Sequence, residues 1–256
     1  MSRVAWVRLS GIAVVLLTWE AVGRSGLILH EVFPPLSEVL RGLASVLADA
    51  TTRGNALVTA VEIAAGFAIG SGAGLVLGLL LGVVPYADRV LQPILYYLGA
   101  IPKIIVYPIL ILLLGAAEGS KIGIASLSAV FPVAINTAVA ARQVRPALIR
   151  AAQTLGAQRS QMLLKVYLPA MAGDVLSGLR IGLAVATIGA LLAETSVAQA
   201  GLGLQAIRYY SQLQIPEMYA LLLLVFTVAT LINAAFTWLI ARWTRHQHGG
   251  QGITIP

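Results

Sequence analysis

Residues 56–84 read ALVTAVEIAAGFAIGSGAGLVLGLLLGVV and contain one charged side chain, that of Glu62. A helix needs about 20 consecutive, mostly apolar residues to cross the hydrocarbon core of a bilayer. Since this run exceeds that length, it predicts a transmembrane helix and places the chain among the integral membrane proteins.

The composition of the whole chain agrees with that prediction, because 59% of its 256 residues are hydrophobic and only 11% are charged. Soluble domains carry about 25% charged residues. A net charge of +7 could indicate a nucleic-acid partner in a soluble protein. Here the basic residues follow the membrane topology, so we expect no nucleic acid. Cysteine is absent, which excludes disulfides and thiolate metal sites.

Similar apolar runs recur along the chain and predict an all-α integral membrane protein with six transmembrane helices. The first run could also be a signal peptide. It is long for one, however, and no small-residue cleavage site follows it, so we expect a retained anchor. The six predicted spans are residues 4–22, 56–84, 94–114, 122–141, 176–198 and 218–241.

The segments between the spans predict one transmembrane domain, residues 1–256, with both termini in the cytoplasm. In this orientation basic residues outnumber acidic ones inside, whereas the two balance outside, which is the usual bias. Residues 24–55 lie outside, and they contain an amphipathic helix that lies on the outer membrane surface or caps the bundle. Residues 142–175 form a long inside loop. The tail, residues 246–256, is rich in Gly and Gln and is predicted to be flexible.

The second span carries a glycine every four residues, which forms one nearly continuous ridge without side chains on a helix. Such ridges let two helix backbones approach closely in lipid. We predict close helix packing here, and the alternative is a smooth face that slides during transport. The glycine ridge consists of Gly66, Gly70, Gly74, Gly78 and Gly82.

Prolines interrupt the third span at Pro93, Pro102 and Pro108. Proline removes a helix hydrogen bond and usually kinks the helix. Broken helices are tolerated in membranes where they line a cavity or pack on protein, so this span is a candidate for lining a pathway.

The long inside loop is predicted to form two short helices. Pro146 is favoured at a first helical position, and Gly156 suits the left-handed residue that ends a helix. Ser160 can then cap a second helix, which Pro169 closes. The result is a helix–turn–helix that projects into the cytoplasm and offers a low-profile face for another protein.

The spacing in this loop resembles the "EAA loop" of binding-protein-dependent ABC import permeases. In that pattern Glu-Ala-Ala is followed by Gly after three residues, and by an aliphatic residue, any residue and Leu-Pro after nine more. The matching residues here are Ala151, Ala152, Gly156, Val166, Leu168 and Pro169. Arg150 stands where the family has glutamate, which is a departure at the rim of the loop. The resemblance extends over about residues 33–243 and is closest to the permeases for nitrate, taurine and aliphatic sulfonates.

The resemblance implies a type I ABC importer-like fold in the bacterial-type cytoplasmic (inner) membrane, with residues 142–175 as a coupling loop. Arg150, Ala151, Ala152, Gly156, Leu168 and Pro169 would then meet an ABC ATPase subunit. It further implies two ATPase copies, a second permease copy in a homodimer, and an extracytoplasmic solute-binding protein. The solute would be small and anionic.

The sequence contains no nucleotide-binding or catalytic motif. The nearest approach to a phosphate-binding loop is residues 115–121, where Gly119 is followed by Ser120 and not by Lys. ATP and Mg²⁺ would therefore be used by the separate ATPase, and we expect this chain to bind no cofactor and to be no enzyme. The three histidines, His30, His246 and His248, all lie outside the apolar spans, so we expect no metal site.

Ionisable and polar residues inside the spans are candidates for the substrate pathway, because they are costly in lipid. We select Lys103, Glu62, Asn136 and Glu194. Lys103 could attract an anion, or it could snorkel to the inner surface or pair with a carboxylate. The two glutamates could shape a gate, pair with basic groups or reach the interface. Asn136 could form a hydrogen bond between helices.

Two other functions remain open at this level. A channel or secondary transporter would need no ATPase, but it predicts more intramembrane charge or an internal repeat. A membrane-embedded enzyme would need a nucleophile, a metal cluster or paired acids at one depth. An ATPase partner separates the importer from the first alternative, and turnover without transport would favour the second.

Overall fold

The structure, a computed structural model, describes residues 3–29 and 32–248, and these residues form helices and no strand. Two short turns interrupt the α-helices, a 3₁₀ turn at Lys103–Val106 and a π turn at Leu163–Tyr167. The α-helices are α1 Arg3–Arg24, α2 Leu36–Ala48, α3 Ala50–Val83, α4 Pro85–Ala100, α5 Tyr107–Leu114, α6 Glu118–Arg142, α7 Pro146–Thr154, α8 Arg159–Met162, α9 Leu168–Ser196, α10 Leu202–Ser211 and α11 Ile215–His248.

Four helical stretches of the described residues are long and apolar enough to cross a membrane, and a bent pair would make a fifth. The four are Ala50–Val83, Glu118–Arg142, Arg159–Ser196 and Ile215–Arg242. Helix α1 forms where the first span is predicted, and its membrane crossing stays a prediction. The structure itself therefore accounts for four or five of the six predicted spans.

The bent pair replaces the continuous third span. Helix α4 begins already at Pro85, and the chain turns by 87° between Pro85–Ala100 and Lys103–Leu114. Pro102 is extended at the break, with φ −61° and ψ 110°, as is the residue before it. Pro93 lies inside α4, whereas Pro108 lies in the first turn of α5, where its missing N–H costs no hydrogen bond. One of the three prolines therefore marks the break.

Among the described residues, one compact unit comprises residues 59–193 and 229–248. Within it, the glycine ridge of α3 lies directly against α6, since a Cβ added at any of the five glycines would come within 3.0 Å of an atom of α6. The partners advance in step along both helices, from Ala125 opposite Gly66 to Ala141 opposite Gly82, so the two helices run parallel. Small buried residues continue this packing, namely Ala125, Ala129, Ala186 and Ala190.

The other unit comprises the described residues 3–29, 32–58 and 194–228. Its core holds the predicted amphipathic helix α2, whose Val39 and Val46 are buried with Tyr209 and Leu221. Gly42 of α2 lies against the backbone of Pro216, so close that an added Cβ would be 3.2 Å away. Helix α2 thus buries its apolar face on protein.

The predicted flexible tail falls largely outside the described residues. Helix α11 continues through His248, so residues 246–248 belong to it, and residues 249–256 lie outside the described part of the chain. His30 also lies outside it.

Candidate functional site

Helix α7 of the inside loop begins and ends at the residues that the sequence indicates. Pro146 occupies its first turn. Gly156 follows its C-terminus with φ +73°, the left-handed conformation that favours glycine. The N–H of Gly156 donates to the carbonyl of Gln153 at 3.0 Å, and the N–H of Ala157 donates to that of Ala152 at 3.0 Å. This pair of bonds is a Schellman motif, which satisfies carbonyls at the end of the helix.

The second short helix has a different cap from the one predicted. Gln158, and not Ser160, caps α8, because its side chain and that of Gln161 form a reciprocal capping box. The backbone N–H of Gln158 donates to Oε1 of Gln161 at 3.0 Å. Two glutamines three residues apart can satisfy two N–H groups, whereas Ser160 could satisfy one.

Pro169 does not end this segment, because the chain continues through a π turn into α9. Proline has no N–H to donate to the carbonyl four residues before it. The turn before it widens, and the N–H of Leu168 donates to the carbonyl of Leu163, five residues back. Such π turns occur inside helices where one hydrogen bond is lost. Residues Arg159–Ser196 therefore form one continuous stretch of 38 residues.

Most of the predicted coupling residues are exposed, and no residue of α7 is buried. Ile149 is partly buried and packs on a cluster within the same unit, formed by Ala140, Ala141, Val144 and Met171. The opposite face presents a stripe of apolar side chains, with Leu155 exposed to 86%. We call Leu148, Ala151 and Leu155 the α7 stripe. Exposed apolar patches in an aqueous loop mark interaction sites.

Sequence reasoning missed the two leucines of the α7 stripe, although the signal was present. The stripe has the spacing i, i+3, i+7, which places all three residues on one helical face. The small residues of the loop carry the family pattern, whereas the two leucines stand outside it.

Glu194 is fully buried and holds the start of α10. Its Oε2 accepts the backbone N–H of Gly203 at 2.6 Å. Asn55 Oδ1 accepts the N–H of Gly201 at 3.0 Å, and Asn55 Nδ2 donates to Gln205 Oε1 at 3.0 Å. A carboxylate at a helix N-terminus is favourable because the N–H groups there lack helical partners.

Two other charged residues of the spans are buried. Glu62 is 1% exposed and Lys121 is also 1% exposed. Lys121 directly precedes the predicted fourth span, 122–141, but it lies in the first turn of α6, and its ammonium donates to the carbonyls of Ala116 and Ala117. Burial of a residue at a helix start depends on neighbouring elements, so local sequence did not indicate it.

Asn136 uses its side chain within α6. Its Nδ2 donates to the carbonyl of Pro132, one turn earlier, at 2.8 Å. A Cβ added at Gly178 would lie 2.7 Å from Cβ of Asn136, so α9 passes close to this residue. The predicted bond between helices is thus a bond inside one helix.

Lys103 lies at the bend between α4 and α5 and is half-buried. Its ammonium donates to the carbonyl of Gly99, in the last turn of α4, and stands 4.9 Å from the centre of the Phe131 ring. Among the described residues it forms no ion pair with a carboxylate, whereas Arg142 pairs with Asp88 at 2.5 Å. The described residues also contain no group of three or more His, Cys, Asp or Glu that could hold a metal ion.

Known proteins are similar to this chain over most of its length. Residues 71–246 match the family described as "Binding-protein-dependent transport system inner membrane component". A Bacillus subtilis protein named for aliphatic sulfonates transport, the permease protein SsuC, is 30% identical over 230 residues, which are 90% of this chain and 83% of that protein. The taurine transport system permease protein TauC of Escherichia coli is 31% identical over 208 residues, 79% of this chain and 76% of that protein.

A solved structure has the same fold. The MetNI methionine ABC transporter, in an inward-facing conformation, aligns with a TM-score of 0.62 at 24% identity. The alignment covers 81% of this chain and 97% of that one.

Proposed function

Because the chain belongs to the family of binding-protein-dependent transport system inner membrane components, and is a permease subunit of an ATP-binding-cassette importer, we propose that it carries a small anion and is driven by an ATPase that acts on its inside loop. It is a multi-pass membrane protein and a transport subunit, not an enzyme. The family also implies ATPase and binding-protein partners.

The ATPase docks on the α7 stripe in this proposal. The observation that carries it is the exposure of Leu155, to 86%, directly after a helix that is anchored on its other face through Ile149. Water is a poor solvent for this leucine, so an apolar groove on a partner would gain the area that it buries. Arg150, which is exposed beside the stripe, would then face an acidic residue of the ATPase. The small size of three loop residues lets the ATPase approach the loop closely, namely Ala151, Ala152 and Gly156.

Co-purification tests the docking. We expect Leu155→Ser to reduce the amount of ATPase retained by the tagged permease in mild detergent. Leu27→Ser is the matched control, because Leu27 is 82% exposed in the predicted outer segment. Equal ATPase retention by the two variants would exclude the α7 stripe as the docking surface.

The substrate proposal rests on relatives. SsuC and TauC are named for sulfonates and taurine, and the sequence over about residues 33–243 resembles permeases for these solutes and nitrate. We therefore assign this permease a small oxyanion, delivered by a binding protein. Uptake of taurine, methanesulfonate and nitrate by proteoliposomes that contain the whole importer tests the assignment.

The assembly that we propose is a homodimer of this chain with two ATPase copies, which use ATP and Mg²⁺. It lies in a bacterial-type cytoplasmic membrane with both termini inside, as the distribution of basic residues favours. A pull-down from native membranes tests this assembly. Mass spectrometry identifies the partners, and native mass spectrometry gives the stoichiometry. Purification of the chain alone, with solute movement in liposomes without ATP, would instead establish a secondary transporter.

Of the four candidate pathway residues, we retain Lys103 as a solute contact. The side chains of Asn136 and Glu194 already form hydrogen bonds with the backbone of their own units. Glu62 is 1% exposed, so a solute could reach it only after a conformational change, and we assign it no direct contact.

A further inference from the structure

Lys103 brings a positive charge into an otherwise apolar part of the chain. Residues 101–114 read IPKIIVYPILILLL, and Lys103 is their one basic or acidic residue. It stands at the start of the turn that joins two helices bent by 87°. Ionisable residues at such positions are costly, and they usually mark a substrate or ion pathway.

The charge of Lys103 is compensated by dipoles and not by a carboxylate. The carbonyl of Gly99 lies at the C-terminus of α4, where the helix dipole is negative. The face of the Phe131 ring, 4.9 Å away, carries the negative part of its quadrupole. Since no carboxylate among the described residues pairs with it, the bend keeps a net positive charge.

The ammonium can accept a further ligand. It has three donors, and the described residues supply one hydrogen-bond acceptor, the carbonyl of Gly99. Lys103, Gly99 and Phe131 are all half-buried and not sealed in the core, so a solute can approach them. The surrounding apolar residues lower the local dielectric, which strengthens attraction for an anion.

From this arrangement we infer that Lys103 and Phe131 form the anion-recognition element of the pathway. The ammonium binds the oxyanion group, and the ring gives an apolar wall to the short alkyl part of a sulfonate. This inference rests on the proposed function, since it names the groups that recognise the proposed solute.

A purely structural role makes a different prediction. If Lys103 only caps α4, then Gln, whose amide can also donate to the carbonyl of Gly99, should replace it. If it recognises an anion, the charge is required. Arg keeps the charge but presents it as a planar fork, so it should retain transport with an altered KM.

The test measures taurine and methanesulfonate uptake by proteoliposomes that contain the whole importer and its binding protein. We expect Lys103→Gln to raise KM or lower uptake by about tenfold or more, since a charge-assisted hydrogen bond is lost. The midpoint of thermal unfolding should stay unchanged. Lys103→Arg should keep uptake, and Phe131→Leu should raise the KM for methanesulfonate.

Each outcome decides a separate question. If the wild-type importer takes up neither a sulfonate nor nitrate, the proposed substrate class is wrong, and this inference is wrong with it. If the wild type takes up the solute and Lys103→Gln does so equally well, the role of Lys103 is refuted, whereas the proposed substrate class stands. If Lys103→Gln does not fold, an unchanged KM in both Lys103→Arg and Phe131→Leu would overturn the inference, whereas an altered KM at normal thermal stability would support it.

Discussion

The glycine ridge of α3 allows a sharp test of how this fold is held together, through the substitution Gly70→Ala. An added Cβ at this position would lie 2.3 Å from the carbonyl oxygen of Ser126 and 2.9 Å from Cβ of Ala129. Carbon and oxygen atoms of neighbouring helices normally approach to about 3.3–3.6 Å. Helix α3 would therefore have to move away from α6 by about 1 Å at this point.

The obstacle at Gly70 makes the cost substantial. A backbone carbonyl cannot rotate away as the end of a side chain could, so the strain spreads to the contacts of Gly66 and Gly74 on either side. Overpacking of this kind typically costs about 1–3 kcal/mol. The matched control is Gly72→Ala in the same helix, because an added Cβ there meets nothing within 4 Å.

The two variants are compared by thermal unfolding in detergent, followed by the fraction that elutes as a single species on size exclusion. We expect Gly70→Ala to unfold at a lower temperature, by about 2–4 °C for each kcal/mol in a chain of this size. Gly72→Ala should match the wild type or exceed it slightly, because Ala is the better helix former by about 1 kcal/mol. If both variants unfold at the wild-type temperature, the ridge is not a tight contact, and the sliding interpretation gains support.

Three further predictions concern the loop and the buried carboxylate. Gly156→Val should abolish coupled transport while membrane insertion is kept, since φ +73° costs a branched residue about 1–2 kcal/mol or a rearranged turn; substrate-stimulated ATPase activity measures it, and Gly156→Asn should be milder. Glu194→Ala should lower the unfolding temperature, because the N–H of Gly203 loses its acceptor at a cost of about 1–3 kcal/mol. An unchanged unfolding temperature would show that Glu194 does not anchor the start of α10. Pro169→Ala should restore a regular α-helix and rotate α8 by about one residue, or 100°; unchanged ATPase retention and transport would show that the π turn does not set the docking orientation.

The helical spans could be predicted because long apolar runs carry their own signal. The position of the break could not, since Pro93, Pro102 and Pro108 look alike in sequence. A proline in the first turn of a helix loses no hydrogen bond, and one in the interior can be tolerated, so the outcome depends on where the helices start. That choice is made by packing, and α4 begins at Pro85, well before the apolar run.

Some features of the site are determined by local sequence and others by tertiary packing. The end of α7 at Gly156 is a local event, and the sequence indicated it correctly by residue type. The burial of Lys121 is tertiary, because a charged residue beside a helix start normally stays in solvent. The bond that Asn136 makes is local but ambiguous, since an amide can bond its own helix as readily as a neighbour.

The geometry of the loop also indicates how force from an ATPase would reach the membrane part. Helix α7 is anchored through Ile149 to a cluster that includes Ala141 at the end of α6 and Met171 in α9. Helix α8 continues through the π turn into α9 without a break, as one stretch from Arg159 to Ser196. A displacement of α7 therefore acts on α6 by side-chain packing, whereas a displacement of α8 acts on α9 through the covalent backbone. Because α6 also packs against the glycine ridge of α3, a movement of α7 can reach α3 through close-packed contacts. Gly70→Ala disturbs that packed route, whereas Pro169→Ala alters the separate backbone route from α8 to α9.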